Sequence, residues 1–308
     1  MPGANAAVNG AQVQLDIKGT TGALSAPLTF SNNTLSAKFD VNKSSNVFQA
    51  TAGSAAMTGS VGVTNVEANI ESTASATTAL VSGSSITSDI TKGTGTTNLT
   101  GALVQSGNAI SASSSGNSAG ERSATGAILA GNAILMTSGS DVTGSGSLTT
   151  NAQTSDATTA TSTTKADLAM LNLQRNDTTN LVSNVAAGLV SARADNVTTG
   201  SIALNSNNVA SAAQGNLAGN LIEVIAGKSS ATAAAANVQA NSGTPIQATN
   251  LNIAVTAGVG NTGQTVNGTV TLNQNSLSAT ASGNASATNV VMLASNLTAP
   301  VTASGPLR

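Results

Sequence analysis

One short cassette occurs four times along the 308-residue chain, and this repeat constrains the fold more than any other feature of the sequence. Its anchor is an apolar residue with an Asn two places before it, small residues in the next two places, and a second Asn seven places after it. The anchors are Leu35, Ile110, Val209 and Leu277, and successive anchors are 75, 99 and 68 residues apart. The flanking Asn pairs are Asn33 and Asn42, Asn108 and Asn117, Asn207 and Asn216, and Asn275 and Asn284. Such a repeat predicts structural units that stack on one another, with inserts of variable length between them.

The residues before each anchor alternate in polarity, which predicts a β-strand. Apolar residues recur seven places before it as Leu28, Leu103, Ile202 and Val270. Five places before it stand Phe30, Leu204 and Leu272, with Gln105 as the exception. A period of two followed by Asn and Gly is typical of a strand, a turn and another strand.

Gly-Asn pairs supply the predicted turns, because Gly readily adopts the positive φ that tight corners need. Seven pairs occur: Gly107-Asn108, Gly116-Asn117, Gly131-Asn132, Gly215-Asn216, Gly219-Asn220, Gly260-Asn261 and Gly283-Asn284. Stacked Asn side chains can also hydrogen-bond to one another along an axis. The predicted fold class is therefore all-β: a β-solenoid or stacked β-layers with Asn/Gly-rich corners and irregular repeats.

The repeats favour a single elongated β-repeat domain over residues 1–308. Residues 137–165 consist almost entirely of Ser, Thr, Gly, Ala and Asp, which is typical of a flexible insert or a domain boundary, and a surface loop is favoured here. Two segments are predicted to be helical, 165–171 and 181–190, the second because Leu181, Val185 and Leu189 recur every four residues. Alternation fits the first segment equally well.

Composition limits the chemistry that this chain can perform. It contains no His and no Cys, which excludes a catalytic triad, a thiolate nucleophile and an imidazole-rich metal site. Glu67 and Glu71 could form a glycosidase-type carboxylate pair, but one strand with polar flanks gives them no evident cleft. We therefore predict that the chain is not an enzyme, has no catalytic residues, and binds no cofactor or metal.

Charge and hydropathy limit the classes of partner that this chain is expected to bind. The ten Lys and Arg residues are scattered singly, so nucleic-acid binding is not expected. No stretch approaches the roughly 18 apolar residues of a membrane-spanning helix, so no membrane insertion is expected. Disorder is an open alternative, yet disordered chains combine low hydrophobicity with high net charge, whereas this chain is 40% apolar with a net charge of −2.

The segment from Asn275 to Ala285 resembles the strand-repeat modules of large secreted bacterial surface and biofilm-matrix proteins. The segment Asn184 to Gly188 is similar, more distantly, to repeats of the Fap-type functional amyloid subunits. Those subunits typically carry a C-terminal Cys pair, and this chain contains no Cys. The resemblance implies an extracellular or cell-surface protein with a β-stacked fold and an adhesive or scaffolding role.

The functional prediction combines the repeat with the scarcity of edge-blocking residues. Charged residues make up 7% of the chain and there are five Pro, so strand edges have little to prevent pairing with another chain. We predict a structural subunit of an extracellular bacterial filament or biofilm matrix whose partner is itself, as a homopolymer, assembled through the twelve repeat residues named above. The alternatives are a repetitive adhesin or phage-fibre module that contacts a surface or polysaccharide, and a weakly ordered matrix protein.

Overall fold

The structure is a computed structural model that describes residues 5–18, 23–70, 76–91, 98–123, 127–153, 161–177, 180–195, 197, 199–242, 245–259, 267–297 and 301–304. Within these residues every regular element is a β-strand and none is a helix. The strands form parallel layers that repeat four times, as in a β-solenoid. This architecture confirms the predicted fold class.

The chain passes through four stacked layers, here called rungs. Rung 1 contains β1 (Asn5–Asn9), β2 (Gln12–Lys18), β3 (Ala23–Leu24), β4 (Leu28–Ser31), β5 (Thr34–Lys43), β6 (Asn46–Ala52), β7 (Met57–Thr58) and β8 (Val61–Ile70). Rung 2 contains β9 (Ala76–Ser82), β10 (Ser85–Thr91), β11 (Asn98–Leu99), β12 (Ala102–Ser106), β13 (Ala109–Arg122), β14 (Ile128–Ala130), β15 (Asn132–Ser138), β16 (Asp141–Thr143), β17 (Leu148–Gln153), β18 (Thr161–Ala166) and β19 (Leu168–Asp177). Rung 3 contains β20 (Asn180–Ala186), β21 (Leu189–Ala194), β22 (Ser201–Asn205), β23 (Asn208–Ser229) and β24 (Ala233–Ser242). Rung 4 contains β25 (Ile246–Leu251), β26 (Ala254–Val259), β27 (Thr269–Asn273), β28 (Ser276–Leu297) and β29 (Val301–Ser304).

Strands at the same place in successive rungs pair in parallel and build five main sheets. Sheet A is β1-β9-β20-β25, sheet B is β2-β10-β21-β26 and sheet C is β4-β12-β22-β27. Sheet D joins β5, β13, β23 and β28, and the later parts of β23 and β28 continue it with β6 and β15. Sheet E is β8-β19-β24-β29.

The predicted repeat and the observed register agree residue by residue. Ile110 pairs with Leu35 and with Val209, and Val209 pairs with Leu277. The four anchors therefore form one row that crosses all four rungs. Leu28, Leu103, Ile202 and Val270 form another such row in sheet C.

Two antiparallel hairpins in rung 2 account for much of the unequal repeat spacing. Equivalent residues of rungs 1 and 2 are 75 positions apart in sequence at Asn33 and Asn108. This separation rises to 86 at Asn46 and Asn132, after the hairpin of β13 with β14. It reaches 107 at Asn65 and Asn172, after the hairpin of β17 with β18. The segment predicted as an insert, 137–165, contains the end of β15, β16, β17 and most of β18, and residues 154–160 lie outside the described residues.

Each rung encloses two apolar cores. The larger lies between sheets A, B, C and the first half of sheet D, and its fully buried members include Ile86, Leu103, Ile110 and Val209. The smaller lies between the second half of sheet D and sheet E, around Ile134, Leu168, Met170 and Ile222.

Gln105, the exception in the apolar pattern, also points inward. Its Nε2 donates to the Ile86 carbonyl oxygen at 3.0 Å, and its Oε1 accepts from Ser88 Oγ at 3.1 Å. The buried amide is thus satisfied by sheet B rather than by its own row.

Both helix predictions are wrong. Residues 165–171 span the end of β18 and the start of β19, and residues 181–190 span β20 and β21. Leu181, Ser183 and Val185 are all fully buried, so the inward period is two, and a spacing of four satisfies a strand as well as a helix. Ala187, with φ of 51°, ends the strand and shifts the inward phase, which places Val190 rather than Leu189 in the core.

Most Gly-Asn pairs are not turns, contrary to the prediction. Gly107 has a φ of 65° and does lie in a turn. Gly116, Gly215 and Gly283 instead lie inside the long strands β13, β23 and β28, where the pairing register passes over them. Gly is needed at Gly116 because a Cβ there would overlap Asn176 Oδ1 of the facing sheet. Gly260-Asn261 lies outside the described residues.

Candidate functional site: the amide rows and the end rungs

The first Asn of each cassette forms a hydrogen-bonded row, here called the corner ladder (Asn33, Asn108, Asn207 and Asn275). Asn33 Nδ2 donates to Asn108 Oδ1 at 2.9 Å, Asn108 Nδ2 to Asn207 Oδ1 at 3.0 Å, and Asn207 Nδ2 to Asn275 Oδ1 at 2.8 Å. At each step the backbone N–H of the donor Asn also donates to the same oxygen. Each step of the ladder therefore contains two bonds from one rung to the next.

The second Asn of each cassette forms a parallel row in sheet D. Asn42 Nδ2 donates to Asn117 Oδ1 at 2.7 Å, Asn117 Nδ2 to Asn216 Oδ1 at 2.8 Å, and Asn216 Nδ2 to Asn284 Oδ1 at 2.8 Å. A further row runs through Asn46, Asn132 and Asn220 at 3.1 and 3.0 Å. Asn117 and Asn216 are fully buried, and these bonds satisfy amides that would be costly to bury alone.

Sheet E contributes facing rows that the sequence prediction missed. Asn65 Nδ2 donates to Asn172 Oδ1 and Asn172 Nδ2 to Asn237 Oδ1, both at 2.7 Å. A second row contains Asn69, Asn176 and Asn241. With the rows of sheet D that they face, these residues form the amide core. It contains Asn42, Asn46, Asn65, Glu67, Asn69 and the residues paired with them in the later rungs, up to rung 4 in sheet D and up to rung 3 in sheet E.

The rows of the two sheets interlock. Asn117 Nδ2 donates across to Asn176 Oδ1 at 3.1 Å, and Asn176 Nδ2 returns a bond to Asn216 Oδ1 at 2.9 Å. Asn216 Nδ2 in turn lies 3.1 Å from Asn241 Oδ1. The amide core therefore joins sheet D to sheet E as well as rung to rung, and this cross-linking fixes the register of both sheets.

A sequence signal for the missed rows exists in a second, shorter motif. Asn-x-Glu/Gln-x-Asn occurs at 65–69, 172–176 and 237–241. The two-residue spacing points all three polar side chains of each copy to the same strand face. Because that face is buried, the motif indicates an interior polar row rather than a surface.

The residues at the central position of this motif form a row in which each upper rung donates to the rung below, the reverse of the Asn rows. Gln239 Nε2 donates to Gln174 Oε1 at 2.7 Å, and Gln174 Nε2 donates to Glu67 Oε2 at 2.6 Å. Glu67 is nearly buried, and its Oε1 has no hydrogen-bond partner. Burial raises the pKa of the Glu67 carboxyl, although hydrogen bonds from Ser44, Gln174 and Asn65 oppose the rise. Glu71, its predicted partner in a catalytic pair, lies outside the described residues.

We expect Glu67→Gln to stabilise the folded chain, at pH values where Glu67 is ionised, by about 1–2 kcal/mol, because it removes a desolvated charge. The raised pKa means that the folded state of the wild type binds more protons than the unfolded state. Its free energy of unfolding should therefore fall as pH rises from about 4.3 through the folded-state pKa, and then level off. Urea unfolding at several pH values measures this slope, which the variant should lack. Glu223→Gln, on the outer face of β23, is the control, and an unchanged slope in Glu67→Gln would contradict the assignment.

The outermost rungs leave interior positions uncovered. Leu277 is 54% exposed in rung 4, whereas Val209 below it in the same row is fully buried. Leu272 is 52% exposed above a fully buried Leu204. At the other end, Phe48 of rung 1 is 38% exposed beside a fully buried Ile134. These side chains belong to inward-facing rows whose members in the neighbouring rung are buried. Both ends of the stack therefore present apolar surface that another rung would cover.

No known protein family, curated protein or solved structure matches this chain. The assignment of function therefore depends on the geometry of the amide rows and the end rungs. All twelve predicted repeat residues lie in three rows, the corner ladder, the anchor row and the row of Asn42, and each row crosses all four rungs. In the described part of the chain, no three acidic side chains group together as a metal site, and no helix could span a membrane.

Proposed function

We propose that the chain is a structural subunit of an extracellular bacterial filament or biofilm matrix, which assembles with copies of itself through strand edges and apolar packing. The observation that carries this proposal is the exposure of Leu272, Leu277 and Phe48 at positions whose row neighbours are fully buried. The extracellular setting rests on the resemblance to bacterial strand-repeat proteins.

The end rungs resemble interior rungs more than they resemble caps. Soluble repeat proteins usually end in a capping unit with a polar outer face. Among the described residues, no strand pairs with the outer side of rung 1 or of rung 4. An open parallel edge with exposed apolar residues is a template for pairing with another chain.

Assembly in this manner would give a resistant fibre. Every added subunit would form backbone hydrogen bonds along whole strands and would extend the corner ladder and the row of Asn42, both of which have an Asn in rung 4. Continuous backbone and amide ladders are the source of the kinetic stability of cross-β fibres.

Negative-stain electron microscopy of the purified chain, before and after hot detergent, tests this function. The proposal expects uniform filaments that survive the detergent. Discrete particles at every protein concentration would overturn it, and the adhesin alternative would then be favoured.

One feature supports the adhesin or phage-fibre alternative. A groove of about 800 Å³ lies beside the β13–β14 hairpin and is lined by the side chains of Lys38, Asp40, Ser115, Glu121 and Gln214, among others. Lys43 Nζ and Glu121 Oε1, 2.7 Å apart, bridge rung 1 to the hairpin. Hydroxyl, amide and charged groups of this kind can hydrogen-bond to a polysaccharide. Titration with oligosaccharides of a variant that carries Leu277→Lys, a charge in the exposed end rung that should prevent assembly, would detect such binding. The absence of any heat or spectral change would argue against it.

A further inference from the structure

The Asn rows of the amide core and the corner ladder have a common direction. In the corner ladder and in the rows of Asn42, Asn46 and Asn65, the side-chain amide of each lower rung donates to an oxygen of the next rung. The two ends of the stack therefore differ chemically. Rung 1 presents acceptor oxygens such as Asn33 Oδ1, and rung 4 presents the donor amide of Asn275.

We infer that copies of this chain stack head to tail, with rung 4 of one copy on rung 1 of the next, so that the filament is polar. This inference rests on the proposed function and specifies its interface. In this arrangement Asn275 donates to Asn33 of the next copy and repeats the bonds within the corner ladder. Head-to-head contact would place acceptor against acceptor at one junction and donor against donor at the other, which leaves both sets of groups unsatisfied.

The apolar rows continue across the same junction. The register places Leu277 over Leu35 and Val270 over Leu28 of the next copy, because each pair belongs to one row within the chain. Val290 would likewise cover Phe48. The contact therefore buries the interior side chains that both end rungs expose.

The charge distribution favours the same contact. No charged residue occurs between Lys228 and Arg308, so rung 4 has none of the edge charges that normally prevent strand pairing. Rung 1 contains Lys38 and Asp40, whose Nζ and Oδ2 are 3.2 Å apart. Their row neighbours in rung 4 are Thr280 and Ser282, so stacking brings no like charges together and leaves this ion pair intact.

Two variants that each block one end test the polarity. Leu277→Lys places a charge on the rung 4 end and leaves the rung 1 end open, and Phe48→Lys does the reverse. Leu293→Lys is the matched control for rung 4, since Leu293 is 56% exposed but faces outward. Thr34→Lys, at an exposed outward position of β5, is the control for rung 1.

Analytical ultracentrifugation of the separate and mixed variants gives the result. We expect each blocked variant alone to be monomeric and the equimolar mixture to form dimers of one copy of each, while both controls form filaments. Dimers of either blocked variant alone would overturn the polarity, and so would a monomeric mixture. If the wild type itself forms no filaments, the proposed function fails, so the two failures are distinguishable.

Asn275→Asp offers a second test that leaves the apolar surface unchanged. An Asp at this position keeps the oxygen that accepts from Asn207 within the chain. It removes the amide that would donate to the next copy, together with the bond that this amide donates to the Leu204 carbonyl oxygen at 3.0 Å. We expect the critical concentration for assembly to rise about tenfold, with the far-ultraviolet circular dichroism spectrum unchanged. Asn273→Asp, exposed on the neighbouring strand, is the control. Equal critical concentrations for the two variants would overturn the inferred contact.

Discussion

Replacement of Asn216 by Asp is expected to lower the free energy of unfolding by about 3–5 kcal/mol at pH 7, the cost of a buried charge whose partners cannot neutralise it. Asn216 Oδ1 accepts from Asn117 and Asn176, and a carboxylate can keep both bonds. Its Nδ2, however, donates to Asn284 Oδ1 and Asn241 Oδ1. A carboxylate would place an acceptor against those two acceptors inside the amide core.

The pH dependence separates this cause from a general loss of packing. Burial should raise the pKa of the new carboxyl, so the folded variant binds a proton that the unfolded chain releases above about pH 3.9. The protonated form donates one bond again, and most of the lost stability should return near pH 4. Urea unfolding in a Leu277→Lys background measures it without interference from assembly. Asn208→Asp, on the outward face of the same strand, is the control, and a loss that is equal at pH 4 and pH 7 would contradict this explanation.

Replacement of Gly215 by Ala is expected to cost about 3 kcal/mol, because the structure has no room for a methyl group at this bend in β23. A Cβ at this position would overlap the Gly283 carbonyl oxygen in rung 4 and contact Asn241 Nδ2 of sheet E and the Ile246 side chain of sheet A. Since three sheets meet there, the backbone cannot shift without disturbing the amide core. The urea midpoint, measured in the same end-blocked background, reports the loss.

Gly258→Ala provides the comparison, because a Cβ at Gly258 would meet no atom within 4 Å. This variant should be as stable as the wild type or slightly more stable, since Ala restricts the unfolded chain. Equal urea midpoints for the two Gly variants would show that Gly215 is not required by close packing.

The rows of the stack were predictable from the sequence because a parallel, in-register stack places equivalent residues directly over one another. A repeat that fixes seven positions around Leu35, Ile110, Val209 and Leu277 therefore predicts both the strand pairing and the three rows. The unequal intervals between anchors did not obscure the register, because the two hairpins of rung 2 add residues between strands without adding a parallel strand to any of the five main sheets.

Local pattern alone could not give the bends, and it could not show what the Asn-x-Glu/Gln-x-Asn motif faces. Gly116 and Gly215 were interpreted as turns because Gly is common in turns, yet the structure needs Gly there for close approach between sheets, a long-range property. The rows of Asn172 and Asn176 were missed because they belong to a different strand from the cassette. Only the folded rung shows that they face Asn132 and Asn117, respectively. The segment 181–190 was assigned to a helix because apolar residues four apart fit the period of a helix and also the two-residue period of a strand.

Cryo-electron microscopy of filaments formed by the untreated chain tests the central claim most directly. Head-to-tail stacking of four-rung subunits predicts an axial rise of about 19 Å per subunit, four times the strand spacing of about 4.8 Å, with β28 of one copy paired to β5 and β6 of the next. An unbroken 4.8 Å repeat across each junction would agree with this account. Discrete particles alone, or filaments whose copies meet through the outer faces of their sheets, would contradict it.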